Sequence, residues 1–106
     1  MRVLFNQGTP VPLRQSLPEH SVSTAYELGW STLKNGELLR SAEERGFEVL
    51  VTTDTNLRYQ QNLVVRRIAV VVLSTTSWPR IRVVVAHVAS AVNSASVSSY
   101  VEVSVP

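Results

Sequence analysis

Asp54, the only aspartate of the 106-residue chain, stands where the apolar run 47–53 ends and the polar stretch Thr55-Asn56-Leu57-Arg58-Tyr59-Gln60-Gln61-Asn62 begins. In an open parallel α/β sheet, ligands gather outside the carboxyl ends of the strands, so this carboxylate stands where chemistry is expected. Asn6 ends a second strand-like run, Arg2-Val3-Leu4-Phe5, and Glu37 opens a helical segment that follows Lys34-Asn35-Gly36. A doubly wound order would bring these tips to one crevice. Two carboxylates, Asp54 and Glu37, ringed by the amide oxygens of Asn6, Asn35 and Asn56, form a hard oxygen set of the kind that suits magnesium or manganese. The expected chemistry is metal-assisted hydrolysis of a phosphoryl group, with Asp54 and Glu37 catalytic and Asn6 a weak third ligand. An amide in place of a carboxylate about 4 Å from the ion forfeits roughly 4 kcal/mol of gross attraction per unit of ionic charge at an effective dielectric of about 20, before water compensates.

Each of these residues also has a purely structural use. Asp54 or Thr55 can cap the helix expected near Leu57, and Glu37 can answer the positive end of its own helix. Asn6, before Gln7-Gly8, suits a turn. Lys34, Gln60, Gln61 and Asn62 are supporting candidates beside the site; the three amides equally suit a solvated helix end, and Lys34, the only lysine, suits a loop as well as a phosphate contact. Glu27 is a reserve acid. His20 and His87 have no cysteine or spaced acidic partner for zinc, and Trp30 and Trp78 read as packing anchors. No phosphate-loop, dinucleotide or nucleophile-elbow motif is present.

The elements that must position these side chains follow from periodicity. Residues 2–6 read as a buried strand, and Pro10 and Pro12 open a helix that Pro18 closes. A second strand is expected over 20–25, a helix over 36–45 capped by Asn35 and stopped by Gly46, and a third strand over 47–53. A short helix is expected near 55–62, and 67–73 reads as a central parallel strand covered on both faces. From Pro79, the spacing of Ile81, Val85, Val88 and Val92 predicts one continuous helix of about fifteen residues, longer than a usual strand, although Val83-Val84-Val85 would suit a strand. The alternating tail 100–105 predicts a half-exposed edge strand with its valines inward. This β-α-β-α-β-α-β-α-β order predicts an α/β fold, a three-layer α/β/α sandwich around a mainly parallel five-stranded sheet with right-handed crossovers.

Length and a hydrophobic content of 44% fit one domain over residues 1–106 with one ordinary core. The net charge of +2 is too small to name a nucleic-acid or membrane partner. Nine of the ten cations are arginine, suited to phosphate but equally to a dispersed surface. The absence of cysteine excludes disulfides and thiolate metal sites. No leader-like segment or membrane-length apolar run occurs, which predicts a soluble cytoplasmic protein.

Three stretches carry a resemblance: Val3-Leu4-Phe5-Asn6-Gln7-Gly8-Thr9-Pro10, then Gly29-Trp30 through Leu33-Lys34-Asn35-Gly36-Glu37-Leu38-Leu39, then Thr52-Thr53-Asp54-Thr55-Asn56 through Tyr59-Gln60-Gln61-Asn62. Together they resemble a small bacterial family of PIN-like domains, over essentially the whole chain. The resemblance implies a metal-dependent ribonuclease fold with an acidic cluster at the carboxyl edge of a parallel sheet. It further implies an RNA substrate, an antitoxin-like protein partner and often a homodimer. Asp54 matches an acidic strand-tip position and Glu37 falls where the pattern has an acid, while Asn6 stands where relatives usually have Asp. Asn56 stands where broader PIN-like sequences have Asp, although the Tyr-Gln-Gln-Asn subgroup often has Asn. Two further expectations remain: a PIN-like module that binds RNA or a protein without catalysis, and a phosphoacceptor signalling domain built on Asp54. The latter expects an acidic pair after the first strand, where Asn6-Gln7 stand.

Overall fold

Two valine-rich strands, β3 (Val49–Thr52) and β4 (Ala69–Leu73), are buried at every position and form the middle of the sheet. A strand covered on both faces must be apolar at consecutive residues, as these are up to Thr52. β1 (Arg2–Phe5) lies beside β3, β2 (Ser21–Thr24) forms one edge and β5 (Tyr100–Val103) the other, in the order β2-β1-β3-β4-β5. Every pairing is parallel. The computed structural model describes residues 1–106, and the α/β class expected from the alternation is the class found.

Alternate residues of the strands feed two apolar layers. Val3, Phe5, Val49, Val51, Ala69, Val71 and Leu73 face Leu13 of a 3-10 turn (Val11–Ser16) and Leu17 just after it, together with Ile81, Val88 and Val92. Leu4, Leu50, Val70 and Val72 face Leu38, Leu39 and Ala42 of helix α1 (Asn35–Glu44), and Leu57 of the one-turn helix α2 (Leu57–Gln60). Each fully buried Leu or Val contributes about 1.5–3 kcal/mol relative to exposure, so the sandwich rests on these two layers. A second 3-10 turn, Leu63–Val65, links α2 to β4.

The last helical region differs from the continuous helix that its spacing predicts. It divides into α3 (Trp78–Ile81), a 3-10 turn (Arg82–Val84) and α4 (Val85–Asn93). Val84 leaves helical geometry, at φ −124° and ψ 23°. The break falls in the β-branched Val83-Val84-Val85 run, whose side chains lose χ1 freedom in a helix. Ile81, Val88 and Val92 still point to the core. Of the tail valines expected inward, Val103 of β5 and Val105 beyond it are buried, whereas Val101 is exposed.

The crossovers do not all share one hand. The β2-to-β3 and β3-to-β4 connections move across the sheet in one direction over the α1 face. The β4-to-β5 connection moves in that same direction but over the opposite face, beside Val11–Ser16, and therefore has the opposite hand. This corrects the uniform right-handed expectation, which describes nearly all such units. Burial explains the departure. The β1-to-β2 connection supplies only a 3-10 turn, so Ala69, Val71, Leu73 and Val103 would lie open without α3 and α4 above them.

Candidate functional site at the carboxyl edge

Chain reversal in the order β2-β1-β3-β4-β5 falls between β1 and β3, where open α/β sheets place their ligands. The loop after β1 turns towards the Val11–Ser16 face and that after β3 towards the α2 face, which opens a crevice between them. Register then decides what flanks it. Phe5 pairs with Val51, so the next residues, Asn6 and Thr52, meet at the tip.

A chain of hydrogen bonds runs through this point. Asn6 Nδ2 donates to Thr52 Oγ1 at 3.1 Å, and the Asp54 backbone N–H donates to the same hydroxyl oxygen at 3.1 Å. Asn35 Nδ2 donates to Asp54 Oδ2 at 2.9 Å and also lies 2.9 Å from Gln60 Oε1. The Asn56 backbone N–H donates to Asp54 Oδ1 at 2.9 Å. Asn6 Oδ1 accepts from the Gln7 N–H at 2.8 Å, which fixes the amide on both sides. Asp54 is therefore held through both oxygens by neutral donors, with no cation paired to it.

Asn35 departs from its expected capping role. It is the first residue of α1, the preceding Lys34 occupies the cap position, and no side chain caps the helix. The Asn35 amide instead spans to Asp54 and Gln60. Gln61 approaches Gly36 so closely that a Cβ there would lie 3.4 Å from its Oε1. The segments Lys34-Asn35-Gly36 and Gln60-Gln61 thus meet beside Asp54. Asp54 itself stabilises the turn into α2 by accepting the Asn56 N–H, and the Asn56 side chain makes no capping bond.

Other expected members remain outside the network. Glu37 is exposed in the first turn of α1 and makes no hydrogen bond or ion pair. Lys34 and Asn62 are exposed, with no side-chain partner. No three His, Cys, Asp or Glu residues group together as metal ligands. Glu27 is committed to structure: Arg14 hydrogen-bonds its carboxylate, the Thr24 N–H donates to it at 2.8 Å, and these contacts hold its pKa below the ordinary value.

Two contributors were missed. Thr52, fully buried, joins Asn6 to Asp54 through one hydroxyl; a polar residue closing the apolar run 49–52 was its sequence signal. Gly8, at φ +95°, brings the β1 loop against β3, where a Cβ would lie 2.9 Å from Thr53 Oγ1. Most arginines are engaged locally. Arg2 stacks on Phe47, Arg45 on Trp30, and Arg58 on Tyr59 while pairing with Glu102 at 3.3 Å. Arg66 pairs with Glu43, and Arg80 donates to Val105 and Pro106 carbonyls. The aromatic anchors behave as expected, Trp30 meeting Phe47 edge to face at 6.2 Å.

Comparison with protein-family models, with curated proteins and with solved structures finds no match to this chain. No helix is long and apolar enough to cross a membrane.

Proposed function

We propose that this chain is a PIN-like domain whose carboxyl-edge crevice is a weakened form of a magnesium- or manganese-dependent ribonuclease site. The observation that carries the reading is Asp54, held at the reversal of strand order by neutral donors so that its charge is left for a ligand. Its carboxylate is the hard donor such a cation would need, and the Asn6 amide oxygen, now bonded to the Gln7 N–H, and Glu37 in the first turn of α1 are the further ligands that would have to turn towards it. The cation would activate water and stabilise charge on the phosphoryl group. Asn35 and the Asn56 N–H orient the Asp54 carboxylate, and Thr52 keeps Asn6 beside it. Lys34, Arg40, Arg67 and Arg82, whose side chains make no hydrogen bond or ion pair, are the cations freest to meet RNA phosphates. A toxin-type role adds an antitoxin-like protein as partner and a homodimer as the acting form.

Asn6 favours a second reading, a module that binds RNA or protein without cleaving. Its Nδ2 donates to Thr52 Oγ1, and an aspartate could keep this contact only if the threonine hydroxyl turned to donate. Manganese-dependent cleavage of single-stranded RNA by the wild type, Asn6→Asp and Asp54→Ala separates the two readings. The nuclease reading expects cleavage to rise at least about tenfold in Asn6→Asp, as a ligand charge is restored, and to vanish in Asp54→Ala. Salt-sensitive RNA binding with no cleavage by any form would leave the binding module. No metal binding or cleavage in any form would overturn the nuclease reading, and absence of RNA binding as well would leave the second only as a protein-binding module.

A further inference from the structure

Beside the Asp54 network, the tips of β1 and β2 enclose a cleft of about 440 Å³, lined by Phe5, Asn6, Gln7, Val11, Ala25 and Tyr26 among others. We infer that this cleft is a nucleobase subsite that takes adenine and sets the neighbouring phosphate beside Asp54.

Four features of the cleft select a neutral, flat heterocycle. Its size and apolar lining, relieved by a few polar groups, match small-molecule sites. Tyr26 leaves 81% of its surface exposed and Val11 54%, so an aromatic face and an aliphatic one stand open at the same cleft. Bases stack on such rings whatever their sequence. The one carboxylate in the wall, Glu27, is neutralised by Arg14 and bonded by the Thr24 N–H, so the cleft has no free charge to attract a phosphate or an ammonium. Gln7 is exposed and its side-chain amide makes no hydrogen bond, leaving a donor and an acceptor side by side. That pair is complementary to N6 and N7 of adenine.

Position joins the cleft to the chemistry. Asn6 lines it and, through Thr52, also belongs to the Asp54 network. A base held against Tyr26 would have its sugar-phosphate directed along the Asn6 side of the cleft, towards the crevice between β1 and β3. The proposal rests on the ribonuclease reading for the polymer, but not for the base itself.

Adenosine, which has no phosphate and needs no metal, tests the cleft directly. In ¹H–¹⁵N spectra, a titration with adenosine is expected to shift the amides of residues 7–9, 11 and 25–27 saturably. Tyr26→Ala should weaken adenosine binding about tenfold, within the span of base–aromatic stacking, while Tyr26→Phe keeps it. Gln7→Ala should reduce the preference for adenosine over uridine. Because Tyr26 and Gln7 are exposed, neither change should disturb folding. Absence of saturable shifts at these amides at millimolar adenosine, or equal affinity in Tyr26→Ala, overturns the subsite. Manganese-dependent cleavage measured on the same proteins reports separately on the ribonuclease reading, so either can fail while the other stands.

Discussion

Helix α1 holds one carboxylate at each end of the sheet, and the two are treated in opposite ways. At its start, Asn35 reaches Asp54 on the carboxyl edge, and both Asp54 oxygens receive neutral N–H donors. In its last turn, Glu43 receives Arg66 Nη1 at 2.9 Å and the Arg67 N–H at 2.8 Å on the amino edge. Glu43 sits near the negative end of the helix, where an unpaired carboxylate is unfavourable, and the guanidinium answers it. A carboxylate neutralised by arginine serves the fold. One oriented by amides keeps its charge for something that is not part of the chain.

This contrast is sharpest under substitution. Glu43→Gln should lower stability by about 1–2 kcal/mol, because Arg66, with 22% of its side chain exposed, loses its counter-charge. Denaturant unfolding measures the loss, and RNA binding should not change. Asp54→Asn should alter stability by under about 1 kcal/mol, since its one oxygen still accepts from the Asn56 N–H and its NH2 can donate to the Asn35 amide oxygen once that amide turns over, yet abolish manganese binding followed by calorimetry. Equal stability losses at the two sites would erase the distinction.

Acid provides a second test. Burial is the largest single influence on Glu43 and works against its charge, but the Arg67 N–H and then Arg66 outweigh it, holding its pKa below 4.5. A folded pKa below the unfolded one means that the stabilisation is complete above pH 4.5 and is lost as pH falls through the folded value. Urea midpoints should therefore drop less steeply below that pH in Glu43→Gln than in the wild type.

The smallest effect is expected at Gly36. Alanine there gains a few tenths of a kcal/mol of helix propensity, while its Cβ meets only the flexible end of Gln61 at 3.4 Å. Gly36→Ala should leave thermal stability equal or slightly raised while displacing Gln61 from the Asp54 end of α1, visible as a shift of its side-chain amide resonances.

Several elements were legible because their signals are local. The consecutive valines of β4 announced a doubly covered strand, and the helix around Leu38, Leu39 and Ala42 differed from expectation by one residue at each end. Boundaries failed where a side chain had a competing use. Asn35 has the composition of a cap, but its amide is taken by Asp54 across 19 residues of sequence, a partner no local pattern reveals. The β-branched run at Val83-Val84 carried the signal of a break, although the spacing predicts continuous helix, and nothing along the chain showed the face that α4 chooses. Strand tips were expected to gather Asp54 and Glu37 with Asn6, Asn35 and Asn56; the structure links Asn6 to Asp54 through Thr52 and Asn35 to Asp54 directly, adds Gln60 on the Asn35 amide, and leaves the Glu37 side chain without a bond.

By itself the sequence determined the alternation of strands and helices, the doubly buried middle of the sheet and the scarcity of acidic residues, because hydrophobic period and residue type are properties of neighbours along the chain. Tertiary structure alone decided which strand tips meet, that the last crossover returns over the thinly covered face, and that Asp54 is bonded by amides while Glu43 is paired with arginine. Those outcomes depend on register and on which apolar surface would otherwise remain in water, and both are settled only when distant segments pack together.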